Sequence, residues 1–167
     1  RHAIRRACFI HAAIAAAAAR IEAELGPVEL LFINAGVATV GPVWLTPLAD
    51  VRWVLEVNTL GSIIVARSFL PAMVARRRGR IAFTASLAGL FGAPSMSSYS
   101  ASKHAIVGFA ESLRVELQAT GLTVTVICPG YVRTGLHAAT RYHHEGFRRF
   151  LDRAPGLAGM GPCEGRL

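Results

Sequence analysis

The chain has 167 residues, with eighteen Lys and Arg against ten Asp and Glu, a net charge of +8, 53% hydrophobic residues and sixteen glycines. Such a chain buries enough surface for a folded core, which excludes disorder as its resting state and bounds it to one soluble globular domain. Seventeen of the basic residues are scattered Arg and one, Lys103, is Lys; the only dense run, Arg76-Arg77-Arg78 with Arg80, lacks interleaved aromatics, so nucleic acid is not an expected partner.

In chain order, residues 3–25 are rich in alanine and stop at Gly26-Pro27, which predicts a helix. The stretch is Arg-rich and acid-poor like a leader, but it runs on smoothly into Arg20, Glu22 and Glu24. Residues 28–33 are almost wholly apolar and are bounded by Pro27 and Asn34-Ala35-Gly36, as in a strand buried on both faces of a parallel sheet. Thr46-Pro47 reads as an N-cap followed by proline at the first helical position, with a helix to about residue 57, a break at Asn58, and a second helix over 60–77 kinked at Pro71. The Arg run then closes that helix against its negative dipole end and leads through Gly79 into a strand over 80–85.

A long helix over 97–120 ends at Gly121, and a third strand over 122–128 is closed by Pro129-Gly130. Strands alternating with helical crossovers define an α/β fold with a doubly wound parallel sheet. Ligands of such sheets sit beyond the carboxyl ends of the strands, here Asn34-Ala35-Gly36, Ala85-Ser86 and Pro129-Gly130.

Cys8, Cys128 and Cys163 form neither a disulfide framework nor a zinc pattern, and a reducing, cytoplasmic setting is expected. The charge-poor stretches 30–49 and 81–102 contain Pro, Gly and polar residues, so no membrane span is expected. His137, His143 and His144 have no ligand-spaced partners, so no metal is expected; with Tyr142, Phe147 and Phe150 they read as a mobile amphipathic segment. Trp44 and Trp53 read as core or interface residues.

Tyr99 and Lys103 are four residues apart on the long helix and so share one face. A nearby ammonium would lower the phenol pKa from about 10 and make Tyr99 a proton donor and acceptor. Spacing alone equally allows a plain surface pair. Ser86, thirteen residues earlier at a strand end, adds a hydroxyl suited to holding a carbonyl oxygen while it is protonated.

Taken together, Asn34-Ala35-Gly36, Asn58, Ser86-Leu-Ala-Gly89, Tyr99-Ser-Ala-Ser-Lys103 and Pro129-Gly130 resemble, in order, the motifs of the short-chain dehydrogenases/reductases, over about residues 10–140. The resemblance implies hydride transfer between NAD or NADP and an alcohol/ketone substrate. It implies that Tyr99 is the general acid/base and that Lys103 lowers its pKa and holds the nicotinamide ribose. Ser86 would hold the substrate oxygen and Asn58 would anchor a water in a proton relay. Asn34, Ala35 and Gly36 would lie near the adenosine half of the cofactor, and Pro129, Gly130, Val132 and Thr134 near its nicotinamide end. It further implies a homo-oligomer built through the two long helices.

The resemblance also implies an opening strand and glycine-rich pyrophosphate turn, and nothing of that kind precedes residue 28. Gly156, Gly159 and Gly161 are spaced but follow no strand. The expectation is therefore a partial Rossmann-like unit, with residues 1–140 as its central and catalytic part and 141–167 as a truncated substrate lid and Pro/Gly-rich tail. A non-catalytic remnant acting as an association module is the alternative. Val37, Leu87, Leu90, Phe91 and Tyr131 favour a hydrophobic substrate.

Overall fold

A computed structural model describes residues 2–132 and 134–146. The expectations for Phe147, Phe150, the glycine cluster and the rest of the tail lie outside these residues.

Helix α1 (His2–Leu25) is followed by Gly26 at φ +87°, a left-handed position that glycine adopts without strain. Strand β1 (Leu30–Ile33) starts two residues later than the apolar run predicts. A second short strand, β2 (Thr39–Val40), then leads to a 3₁₀ turn over Val43–Leu45. Thr46 does not cap the next helix: its hydroxyl bonds back to the Pro42 carbonyl at 3.1 Å and Pro47 stands at the N-cap of α2 (Leu48–Leu55).

The break expected at Asn58 is instead a π-helical turn, Glu56–Gly61, that carries α2 directly into α3 (Ser62–Ala75). A π turn inserts an extra residue without ending the helix and is frequent at functional positions. The combined helix Leu48–Ala75 has 28 residues and a mean hydropathy of 1.4, enough by length and composition to cross a membrane. Within the fold it buries Val54, Asn58, Ile64, Ala66, Phe69 and Met73. The arginine run ties the end of α3 to its surroundings. Arg76 meets Glu22 at 3.0 Å, Arg77 donates to the Ala119 carbonyl at 2.8 Å and Arg78 meets Glu29 at 2.9 Å.

Strand β3 (Gly79–Thr84), helix α4 (Ser97–Glu116) and strand β4 (Leu122–Ile127) complete the main unit, followed by α5 (Leu136–Ala139) and β5 (Arg141–Tyr142). Residues 117–120, expected to be helical, form a turn instead, with the Thr120 hydroxyl on the Leu117 carbonyl. The sheet is parallel in the order β1-β3-β4, with Ile33, Phe83 and Val126 in register. A second parallel pair joins β2 to β5.

Period-two alternation sends Leu31, Ile33, Ile81 and Phe83 to one face, where they pack with Ala66, Phe69 and Met73 of α3 and Ile106, Ala110 and Leu113 of α4. Phe83 meets Phe109 edge-on, with ring centroids 5.8 Å apart. Each large side chain removed from water here contributes about 1.5–3 kcal/mol. On the other face Leu30, Phe32 and Ile127 are exposed, so among the described residues the helical cover is one-sided.

Candidate active site

The carboxyl ends of the strands open onto two adjoining cavities. The larger, about 440 Å³, is lined by Asn34, Ala35 and Gly36 after β1, Thr84 to Ser86 at the end of β3, and Pro129 and Gly130 after β4. Val132 and Thr134 line it further along the chain. The smaller, about 290 Å³, has a mainly apolar wall that includes Ala38, Val40, Leu87, Phe91, Met96 and Tyr131. Ser86 and Tyr99 line both, at the boundary between them.

This placement follows from local structure. Ser86 leaves β3 in an extended conformation, and its Oγ accepts from Ala88 N at 3.2 Å, which turns the chain sharply after the strand. That turn brings Gly89 against α4, where a Cβ would sit 2.9 Å from the Lys103 carbonyl oxygen. The first turns of α4 are thereby held close to the strand ends.

Tyr99 is 7% exposed and shares a hydrogen bond with Ser86. Burial pushes its phenol above the ordinary value of 10, and the Ser86 bond works the other way. The i,i+4 spacing predicts a phenol pulled down by Lys103. Here burial dominates, and the Lys103 Nζ stands 5.7 Å from the Tyr99 ring centroid. Lys103 itself is 4% exposed and its Nζ donates to the Thr84 carbonyl at 2.9 Å. Loss of water lowers the ammonium to about 8, with Cys128 acting in the opposite direction.

Asn58 stands behind the cavity wall. Its Oδ1 accepts from Val37 N at 2.8 Å, while Nδ2 donates to the Val37 carbonyl and the Ser102 Oγ, both at 2.9 Å. The amide is thus spent on pinning the segment after Gly36 to α4. Its backbone carbonyl accepts from Ser62 Oγ at 2.6 Å.

Every residue proposed from sequence for catalysis or cofactor binding lines the larger cavity except Asn58, whose amide holds Val37, the residue after Gly36 of the wall. Of the apolar residues proposed to contact substrate, Leu87, Phe91 and Tyr131 line the smaller cavity, whereas Val37 and Leu90 do not. Sequence reasoning missed Thr84 and Ser102, whose partners are 19 and 44 residues away. It also missed the wall formed by β2 and β5. Among the described residues no group of three His, Cys, Asp or Glu is placed to hold a metal ion.

The fold and site together define a class. The family model of the short chain dehydrogenases matches residues 8–145, and the chain belongs to that family of oxidoreductases, which act on small-molecule substrates. It is 42% identical over 123 residues to mouse "Dehydrogenase/reductase SDR family member 7B", covering 74% of this chain and 38% of that protein. It is 41% identical over 121 residues to "Inactive 2-(S)-hydroxypropyl-CoM dehydrogenase 2" of Xanthobacter autotrophicus, covering 72% and 53%. A short-chain dehydrogenase/reductase from Burkholderia phymatum, solved in complex with NAD, superposes with a TM-score of 0.75 at 38% identity, over 77% of this chain and 47% of that one. The chain thus spans about half the length, or less, of these proteins.

The larger cavity suits a polyhydroxylated ligand. Thr84 Oγ1 is buried there with no hydrogen-bond partner, and Lys103 Nζ spends one of its three protons on the Thr84 carbonyl. No G-x-G-x-x-G turn follows a strand among the described residues.

Proposed function

We propose that this chain carries the acid/base machinery of an NAD- or NADP-dependent oxidoreductase acting on an alcohol/ketone pair. The observation that carries this reading is the position of Ser86 and Tyr99. They share a hydrogen bond at the seam between a polar cavity and an apolar one, with Lys103 one helical turn away. A nicotinamide cofactor in the polar cavity would supply the hydride. Lys103 and Thr84 would hold its ribose, Asn34, Ala35 and Gly36 would line the way toward its adenosine half, and Pro129, Gly130, Val132 and Thr134 would border its nicotinamide end.

The remaining chemistry belongs to the chain. Ser86 Oγ holds the carbonyl oxygen of a ketone in the apolar cavity. The phenol of Tyr99 gives its proton to that oxygen as negative charge develops. In the reverse direction the Tyr99 phenolate takes the proton from the alcohol oxygen. The Lys103 ammonium stabilises the phenolate left behind, and Asn58 anchors the water that returns a proton from solvent. Two copies meeting through the long helices belong to the same proposal, supported by exposed Leu48, Leu55 and Leu60 on the α2–α3 helix and Val115 on α4. So does a cytoplasmic setting, supported by cysteines without a disulfide pattern.

The test is turnover of NADH or NADPH with neutral ketones such as cyclohexanone and acetophenone. Tyr99→Phe is expected to lower kcat by about 10²–10⁴ while leaving cofactor affinity nearly unchanged; equal turnover overturns the assignment. A second reading, a non-catalytic association module, is supported by the 41% identity to a Xanthobacter autotrophicus protein named inactive. Absence of saturable NADH and NADPH binding in the full-length protein would decide for it.

A further inference from the structure

The apolar cavity owes one of its walls to the two-stranded β2–β5 pair, and strand alternation divides that pair into two faces. Ala38, Val40, Thr140 and Tyr142 face the cavity. The residues between them point the opposite way, toward the helices. Thr39 Oγ1 lies 2.7 Å from Ser98 Oγ at the start of α4. Arg141 and His143 both reach Asp50 in the first turn of α2.

Asp50 is a half-buried carboxylate that holds both partners at once. One oxygen pairs with the Arg141 guanidinium, and the other lies 2.9 Å from His143 Nε2, without hydrogen-bond alignment. The same guanidinium stacks on the Trp53 ring at 3.8 Å from its centroid. The backbone completes the contact, with Arg141 N on the Ala38 carbonyl at 3.1 Å and His143 N on the Val40 carbonyl at 2.8 Å. Gly41 has no side chain to obstruct this approach, since a Cβ there would lie 2.8 Å from the His143 Cβ.

We propose that Asp50 is a positioning residue for substrate binding: through Arg141 and His143, with Trp53 as a platform, it fastens β5 to α2 so that Thr140 and Tyr142 close the apolar cavity. This deepens the oxidoreductase reading and rests on that cavity being the substrate site. Two residues per strand provide only short pairing, which by itself is marginal in water. The Asp50 cluster supplies the second attachment. It lies on the far side of the strand from Ser86 and Tyr99, so it shapes the cavity without touching the reacting atoms. An apolar, uncharged ketone body is the group such a wall would enclose.

The experiment compares wild type, Asp50→Asn and Asp50→Glu in the full-length protein. The Asn variant is expected to accelerate amide hydrogen exchange at Arg141 and His143 at least tenfold, with Ile81 and Phe83 in β3 unchanged. In a background where Trp44 and any tryptophan outside these 167 residues are replaced by Phe, Trp53 is the one indole, and its quenching by acrylamide should rise at least twofold. With acetophenone as probe, KM should rise at least fivefold while kcat stays within twofold, and Asp50→Glu should recover part of each change. Unchanged exchange overturns the proposal, and so does faster exchange with an unchanged KM. If wild type turns over no ketone, the oxidoreductase reading fails, and the exchange and fluorescence arms still decide whether Asp50 holds the strand.

Discussion

The two walls of the site are built by different physics. On one side Ser86, Tyr99 and Lys103 are carried by β3 and α4, elements locked into the main core by Phe83, Ile106 and Ala110. On the other, β2 and β5 have two residues each and are held by an ion-pair cluster at the edge of α2. The first arrangement fixes the groups proposed to react, and such groups lose much of their effect if they shift by an ångström. The second leaves a wall whose closure costs little and can be tuned without disturbing the chemistry. Three perturbations break or sharpen this contrast.

The largest effect is expected at Lys103. Its folded value of about 8 lies below the ordinary 10.5 because burial strips water from the ammonium. Between those values the unfolded chain holds a proton that the folded chain has released, so stability rises with pH across that window. Below about pH 8 the buried charge is a standing cost. Lys103→Met removes the titration. Relative to that variant, the unfolding free energy of wild type should increase by at most about 3 kcal/mol between about pH 8 and 10.5, measured by urea denaturation. A flat difference would mean that Lys103 is as solvated as the loose wall opposite it.

A smaller loss is expected at Gly89. An alanine there would place Cβ 2.9 Å from the Lys103 carbonyl oxygen and 3.0 Å from its carbonyl carbon, and backbone cannot yield as a side-chain tip can. Gly89→Ala should cost about 1–3 kcal/mol by the same denaturation assay, typical of overpacking, and should lower turnover by displacing Tyr99 from Ser86. Wild-type stability in that variant would show that the rigid side of the site is looser than its packing implies.

The same contrast decides what was legible in the sequence. The parallel α/β order could be read because it rests on local signals, apolar runs ended by Gly or Pro, and the grouping of Ser86, Tyr99 and Lys103 at one cavity could be read from an i,i+4 pair and a hydroxyl at a strand end. The π turn at Asn58 was read as a break, since a helix with one extra residue keeps no simple period there. The Tyr99 phenol was expected lower than it is, because spacing reveals a neighbouring charge but not the degree of burial that outweighs it. The β2–β5 wall left no trace: two-residue strands have no periodicity, and Asp50 meets Arg141 across 91 residues of chain.

The smallest global effect, and the sharpest test of the contrast, is expected at Gly41. An added Cβ would lie 2.8 Å from the His143 Cβ and 3.3 Å from its Cα, so β5 must move away from β2. Unlike Gly89, this position presses on a segment held by few contacts. The strain should therefore be relieved by local displacement rather than stored in the core. Gly41→Ala is expected to change global unfolding by less than about 1 kcal/mol and to speed amide exchange at Arg141 and His143 without altering β3. Both glycines make close approaches to another segment's backbone, yet one substitution should register as lost stability and the other as a loosened wall. A large global loss at Gly41 would show instead that the β2–β5 wall is part of the main cooperative unit.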